Sequence, residues 1–220
     1  MNWAQLPVCK EIMKSRKITN TGTLKNIGKF PSLKNMKTVW FESHLERDFI
    51  FLTEFDKDVI KYTEQPFKIQ YLMNGEKYRY FPDFLLEREN QKQVIEIKPQ
   101  LKVEKEEFVN FSKVMTNHLA KKGFEYLVIT DSTIRLQPRL SNIKLFWRYA
   151  RIPITTKQQV LINDLFEISS SMSFFEVCSF LSRAKEQKES IYTLLFHRYL
   201  TIDINQPISA ESVISKGEFK

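Results

Sequence analysis

Cysteine, glycine and long apolar runs are all scarce in this chain, and each scarcity excludes a class of protein. The 220 residues include two cysteines and five glycines. Cys9 and Cys178 lie far apart, without metal-ligand spacing or a disulfide framework. No stretch approaches a membrane span, and the first 20 residues hold no apolar run typical of a signal peptide. We therefore expect an intracellular, reduced protein that is cytoplasmic and has no membrane partner.

Histidine is also rare, and its positions argue against two kinds of chemistry. His44, His118 and His197 share no ligand spacing, so we expect neither a zinc site nor a histidine base. No nucleotide-binding loop or catalytic serine motif is visible either.

Basic residues are in excess, and the excess lies mostly at one end of the chain. The net charge is +8 and the isoelectric point is about 9.3, which favours a polyanionic partner such as nucleic acid. Residues 1–40 hold eight Lys and Arg residues and one acid, Glu11. Their net charge of +7 is nearly the whole excess of +8. We interpret residues 1–38 as a basic N-terminal arm with a short helix near 9–17. Its candidate DNA contacts are Lys14, Arg16 and Lys17. The alternative is a solvated basic tail.

The middle of the chain alternates between helical and strand periodicity. Apolar spacing predicts a helix over 44–55, for which Ser43 is the N-cap. Further on, it predicts strands over 59–62, 67–71, 77–86, 93–98 and 124–130, a hairpin turn at Asn74-Gly75, and a helix over 103–122 ended by Gly123. This order predicts that residues 39–138 form an α/β domain with a mixed central sheet flanked by helices.

The last part of the chain, residues 139–220, has a different pattern. Helices are predicted at 156–168, 173–184 and 187–199, followed by a strand over 200–204 that pairs with residues from Ile208 onward. Three helices closed by a short pair of strands outline a small winged-helix-like domain. Lys188 and Arg198 are candidate DNA contacts on its last helix, although a partner-binding surface explains the same charges.

Two carboxylates are predicted to face each other across a hairpin. With the turn centred between Glu89 and Asn90, the antiparallel register puts Asp83 opposite Glu96. Opposed residues share a face, with Cβ atoms roughly 4.5–5.5 Å apart. Carboxylates that close repel each other unless a cation lies between them. A solvated sheet face on which Lys98 offsets both acids is the alternative.

The residue types at this position suit phosphodiester hydrolysis. A hard divalent cation prefers oxygen ligands, so we expect Mg²⁺, with Mn²⁺ as a substitute, on Asp83, Glu96 and the backbone carbonyl of Ile97. Lys98 follows Glu96 by two residues, which places it on the same face, where an ammonium holds water or developing charge. Lys102, just past the Pro99 break, is a candidate phosphate contact.

Two roles are open for Glu46. Ser43-x-x-Glu46 is a capping box, in which the Glu46 side chain accepts from the backbone N–H of Ser43. Alternatively, its carboxylate projects from the helix start toward Asp83 and Glu96 and takes part in metal binding.

Pro82-Asp83 and Glu96-Ile97-Lys98 resemble the motif of the PD-(D/E)xK nuclease superfamily. Together with Phe41-Glu42-Ser43-x-Leu45-Glu46, Phe55-Asp56, Gln65-Pro66, Tyr80-x-Pro82-Asp83-Phe84-Leu85 and Lys98-Pro99, they resemble TnsA, the endonuclease subunit of heteromeric transposases. The resemblance covers roughly residues 10–135. It implies a restriction-endonuclease-like core in which Asp83, Glu96 and Lys98 match the family's site and Glu46 matches the upstream acid. Some relatives carry Gln at the Glu96 position.

The resemblance also implies a reaction and partners. TnsA-like proteins cut the non-transferred strand at the 5′ ends of a transposon. A TnsB-like transposase cuts the 3′ ends, and a TnsC-like ATPase regulates the complex. The substrate would be double-stranded DNA in a bacterial cytoplasm, with the protein on the nucleoid when active. The alternatives are a stand-alone restriction or junction-resolving nuclease and a non-catalytic DNA-binding adaptor.

Overall fold

The structure, a computed structural model, describes residues 13–14, 27–73, 76–187 and 189–218. The chain divides into two compact units, residues 1–134 and 135–220. The boundary predicted after residue 138 lies four residues beyond this division. Across the described ranges, no helix has the length and apolarity needed to cross a bilayer.

The first unit contains four helices and nine strands among its described residues. In chain order they are β1 (Met13–Lys14), β2 (Gly28–Ser32), β3 (Lys37–Phe41), α1 (His44–Phe55), β4 (Lys61–Glu64), β5 (Phe67–Met73), β6 (Glu76–Tyr80), β7 (Phe84–Glu87), β8 (Lys92–Lys98), α2 (Gln100–Val103), α3 (Glu106–Ala120), β9 (Glu125–Thr130) and α4 (Asp131–Ile134).

The central sheet has the order β4-β7-β8-β9. β4, β7 and β8 pair antiparallel, whereas β8 and β9 run parallel, so the predicted mixed sheet is confirmed. The β7–β8 pairing matches Phe84 with Ile95 and Glu87 with Lys92, which is the register predicted from the turn. The Arg88 N–H donates to the carbonyl of Gln91 at 2.9 Å and closes that turn.

Helices cover the sheet because β8 is apolar on both faces. On one face, Phe49 of α1 packs its ring 5.4 Å from that of Phe84, opposite Ile95. On the other face, Met115 and Leu119 of α3 are fully buried in a cluster with Val94. A strand that is covered on both faces is shielded from water, so the position of β8 is fixed by packing on either side.

Helix α1 begins and ends where the sequence predicts. Ser43 caps it by accepting from the Glu46 N–H at 3.1 Å. Near its other end, buried Glu54 accepts from the Ser32 hydroxyl at 2.5 Å and from the Tyr62 hydroxyl at 2.6 Å. The N–H groups of Leu33 and Lys34 donate to the same carboxylate. Because one buried carboxylate joins α1, β4 and the turn after β2, the helix is held against the sheet.

Three predictions for this unit were wrong. Met13–Lys14 is a strand paired with Phe67–Lys68, not part of a helix over 9–17. The predicted arm boundary at residue 38 falls inside β3, because residues 28–41 form a β2–β3 hairpin. The predicted strand over 77–86 is two strands, since β6 pairs with β5 and β7 pairs with β4 and β8. Local alternation did not show that the chain changes sheets at Phe81–Asp83.

The long helix begins at Glu106 rather than 103, after the separate short α2. Gly123 has φ +78, as expected for a residue that ends a helix. The predicted Asn74-Gly75 turn lies outside the described residues.

The second unit has helices α5 (Arg139–Trp147), α6 (Thr156–Ile168), α7 (Phe174–Arg183) and α8 (Ser190–Phe196). Its strands β10 (Ser171–Ser173), β11 (Leu200–Ile202) and β12 (Val213–Lys216) form an antiparallel sheet in the order β10-β12-β11. The predicted pairing of the last strands is confirmed, and β10 was not predicted. Capping boxes at Thr155 and Ser173 begin α6 and α7.

Candidate active site

Asp83 lies where the chain crosses from β6 to β7, and main-chain hydrogen bonds fix it there. Its N–H donates to the carbonyl of Ile95 at 3.1 Å, and its own carbonyl accepts from the N–H of Gln65 at 2.9 Å. Its side-chain Oδ2 accepts from the N–H of Ile97 at 2.7 Å. Asp83 is therefore held at both its backbone and its carboxylate, between the ends of β4 and β8.

Glu96 is the second carboxylate. It follows Ile95 on β8, just as Asp83 precedes Phe84, the residue that pairs with Ile95. It is only 3% exposed. Its Oε1 contacts the ammonium of Lys98, and its Oε2 accepts from the hydroxyl of Tyr80 at 2.5 Å. A buried carboxylate needs such partners, since an unpaired buried charge is costly. The structure therefore brings Asp83, Glu96 and Lys98 together, as the register argument predicted.

The charges in this cluster perturb one another. Burial raises the pKa of the Asp83 carboxyl well above its usual range, and the negative charges of Glu96 and Glu46 raise it further. The Ile97 N–H and the Lys98 ammonium act in the opposite direction. Burial lowers the pKa of Lys98, but Glu96 and Asp83 raise it to a net value above the ordinary one. Lys98 thus stays an ammonium, and the carboxylates around it outnumber its single positive charge.

Two tyrosines line the same carboxylate. Burial, followed by the charge of Glu96, raises the pKa of Tyr80 well above its usual value, so its hydroxyl remains a donor. The pKa of Tyr126 is raised for the same two reasons. Neither tyrosine was predicted to belong to the site from the sequence.

Glu46 lies close enough for its charge to act on both Asp83 and Lys98. Its Oε2 accepts from the N–H of Glu42 at 2.8 Å, and its Oε1 from the hydroxyl of Ser43 at 2.9 Å. The capping box predicted from the sequence had the N–H of Ser43 as the donor. This was wrong, because the donor is the N–H of the preceding residue, Glu42. The Glu46 carboxylate therefore accepts hydrogen bonds from the residues just before α1. Its negative charge also acts on the side chains of the site.

Gln65 is a further residue at the site that the sequence did not resolve. Its backbone has φ +40, a conformation that residues other than glycine rarely adopt. Besides the backbone bond to Asp83, its side-chain oxygen is buried and finds no hydrogen-bond partner among the described residues. A positive φ and an unsatisfied buried polar atom in a residue bonded to Asp83 are features that cluster at functional sites.

The donor atoms present suit a hard cation with few protein ligands. Within the described ranges, no three Asp, Glu, His or Cys side chains converge as a metal-binding group. Asp83 and Glu96 still offer carboxylate oxygens on one side of the sheet, with an excess of negative charge. Mg²⁺ usually binds through one or two carboxylates and keeps several waters, so this donor set fits it.

Of the predicted DNA contacts, the structure describes the side chains of Lys102 and Arg198. Lys102 is exposed on α2, which begins just after Pro99. Arg198 is half-buried and lies beyond the end of α8, so its predicted place on a helix was wrong. Arg16, Lys17 and Lys188 are outside the described residues, as is the side chain of Lys14.

The segment that carries this site is similar to a known protein family. Residues 56–131 match the family model described as TnsA-like endonuclease N terminal. The matched segment runs from the end of α1 to the end of β9, and it contains Asp83, Glu96 and Lys98 but not Glu46. None of the curated proteins compared with the chain matches it.

Proposed function

Because residues 56–131 match the family model of the TnsA-like endonuclease N-terminal domain, we propose that the protein is a Mg²⁺-dependent DNA endonuclease of a Tn7-like transposition system. It cuts the non-transferred strand at the 5′ ends of a transposon. The observation that carries the proposal is the cluster of Asp83, Lys98 and the buried Glu96 inside the matched segment.

Asp83, Glu96 and the carbonyl of Ile97 would hold the cation. When bound, Mg²⁺ supplies polarisation of the scissile phosphoryl group and lowers the pKa of the attacking water. Asp83 is suited to this role because the Ile97 N–H holds its carboxylate in place through Oδ2. The raised pKa of Asp83 supports the same assignment, since added positive charge would relieve the repulsion from Glu96.

Lys98 stabilises the negative charge that develops on the phosphoryl group during cleavage. Its ammonium contacts Glu96 and its side chain is about one third exposed, so it reaches from the buried carboxylate toward the substrate side. There it orients the attacking water or binds a phosphoryl oxygen. Glu46 adds a third negative charge at the edge of the site and would bind the cation directly or through water.

We assign the first unit to the restriction-endonuclease-like fold and the second to a winged helix. The four-stranded mixed sheet with α1 and α3 on opposite faces supports the first assignment. The order α6, β10, α7, α8, β11, β12 and the sheet order β10-β12-β11 support the second.

In the second unit, DNA would contact a surface other than the last helix. All but one of the seven residues of α8 are buried, so this helix has little surface for a DNA groove. Arg198 and Lys188, with the arm residues Lys14, Arg16 and Lys17 and with Lys102, remain candidate DNA contacts. The proposed partners are transposon-end DNA, a TnsB-like transposase and a TnsC-like ATPase, in the bacterial cytoplasm.

The test is cleavage of transposon-end DNA with each strand labelled separately. We expect cutting at the 5′ end of the non-transferred strand in Mg²⁺ or Mn²⁺, none in chelator, and a higher rate when the partner transposase is present. Efficient cutting of unrelated duplexes or of four-way junctions by the protein alone would instead indicate a stand-alone nuclease. DNA binding without cutting under every condition would indicate a non-catalytic adaptor.

A further inference from the structure

Tyr80 occupies an unusual place beside the proposed site. It is the last residue of β6, which belongs to the sheet β1-β5-β6 and not to the central sheet. Three residues later the chain reaches Asp83 and then enters β7. The Tyr80 side chain nevertheless reaches the central sheet, where its hydroxyl donates to Oε2 of Glu96 at 2.5 Å.

The two oxygens of Glu96 therefore have different partners from different directions. Lys98 contacts Oε1 from the same strand, and Tyr80 donates to Oε2 from the neighbouring sheet. Two contacts at two atoms fix the rotation of the carboxylate plane, which one contact cannot do. Each carboxylate oxygen has two lone pairs, so both oxygens keep the capacity to bind a cation.

The ring of Tyr80 has its own support. It packs edge-on against Phe111 of α3, with 5.0 Å between ring centroids. Tyr71 on β5 packs against the same Phe111 ring at 5.6 Å. The hydroxyl of Tyr80 is thus aimed at Glu96 by packing that does not depend on Glu96 itself.

We propose that Tyr80 is a positioning residue, whose hydroxyl orients the Glu96 carboxylate for the divalent cation. This rests on the proposed function, because it concerns the cation of that same site. Partners that orient a metal-binding side chain usually change metal affinity or activity 10- to 100-fold when they are removed. Removal of the hydroxyl should therefore act on metal binding, with little effect on folding.

Tyr80→Phe tests the proposal, and Tyr71→Phe is its matched control. Both variants keep the ring against Phe111 and remove one hydroxyl, but only the Tyr80 hydroxyl donates to Glu96. The first readout is the affinity of the DNA-free protein for Mn²⁺, followed by the electron paramagnetic resonance signal of the free ion. The second is the Mg²⁺ concentration that gives half-maximal cleavage. The third is the Tm in chelator.

We expect Tyr80→Phe to weaken Mn²⁺ binding and to raise the required Mg²⁺ concentration, each by about tenfold, while Tm stays close to that of the wild type. Tyr71→Phe should match the wild type in both metal readouts. Equal metal affinities for Tyr80→Phe and the wild type would overturn the proposal, as would an equal decrease in the two variants. If the wild type neither binds Mn²⁺ nor cuts DNA, the proposed function itself fails, which is a different result.

Discussion

The side chain of Asp83 is tied to the backbone of Ile97: its Oδ2 accepts from the Ile97 N–H at 2.7 Å, on the strand that carries Glu96 and Lys98. One hydrogen bond therefore fixes the first carboxylate to the strand of the second. Burial and the nearby charge of Glu96 together raise the pKa of Asp83.

Replacement of this charge should stabilise the metal-free protein. In Asp83→Asn the side-chain oxygen still accepts from the Ile97 N–H, but the repulsion from Glu96 is gone. We expect cleavage to be abolished and the Tm in chelator to rise by roughly 2–4 °C, which about 1 kcal/mol gives in a chain of this size. Glu89→Gln, at an exposed turn position, is the control and should leave both unchanged.

The same replacement should change the dependence of stability on pH. Because burial and Glu96 raise the pKa of Asp83 in the folded state, the folded protein binds more protons there than the unfolded chain. The free energy of unfolding of the wild type should fall as pH rises from the ordinary Asp range, near about 3.9, toward the raised value. A wild-type curve with the same slope as that of Asp83→Asn would contradict this.

Lys98→Ala should separate catalysis from metal binding. Removal of a positive charge beside a cation does not weaken the binding of that cation. We expect cleavage to fall by about 100-fold, within the range for removal of one charge-stabilising group, with Mn²⁺ affinity unchanged or raised. Lys92→Ala, at the other end of β8, should keep normal cleavage. A large fall in the metal affinity of Lys98→Ala would show that Lys98 organises the carboxylates instead.

Glu46→Gln should distinguish the capping role of this residue from its role in the site. The Gln carbonyl oxygen still accepts from the Glu42 N–H, so Tm should fall by little. We expect cleavage to fall by roughly tenfold or more, equivalent to ~1.4 kcal/mol in the barrier. Ser43→Ala is the complementary control, since it removes the N-cap of α1 but keeps the Glu46 charge. Normal cleavage by Glu46→Gln would leave Glu46 with the capping role alone.

The sequence predicted the core of the site because that part depends on local rules. A short turn fixes the β7–β8 register, and the register sets Asp83 near Glu96 and Lys98. The same rules predicted α1 and the strand β9. Spacing within a strand or a helix is sufficient for all of these.

What the sequence did not predict depends on interactions between distant segments. The alternation of residues 77–86 is the same whether they form one strand or two, so the change of sheet at Phe81–Asp83 was hidden. The hydrogen bond from Tyr80 to Glu96 follows from that change. The positive φ of Gln65 lies at the other change of sheet, between β4 and β5. Similarly, the path of the chain entering α1 decides which N–H donates to the Glu46 carboxylate. The motif predicted the N–H of Ser43, whereas the donor is the N–H of Glu42.

The basic N-terminal segment gives a prediction that is independent of the site. Lys14, Arg16 and Lys17 should bind phosphates without regard to sequence, and their contribution to affinity should weaken as salt rises. Charge reversal of all three should reduce the slope of log affinity against log salt by about 0.9 for each phosphate that the segment no longer neutralises. Fluorescence anisotropy with transposon-end and unrelated duplexes checks this. An unchanged slope would make the segment a protein-binding or inert one.

The central claim is that Asp83 and Glu96 cut one particular DNA strand. The most direct measurement is cleavage of strand-labelled transposon ends in Mg²⁺ by the wild type, Asp83→Ala and Glu96→Ala, each assembled with the partner transposase. Because the transposase cuts the other strand, its product reports that every complex has assembled. We predict that both variants fail to make the 5′-end cut of the non-transferred strand and keep the 3′-end cut. Retention of the 5′-end cut by either variant would contradict the assignment of the site.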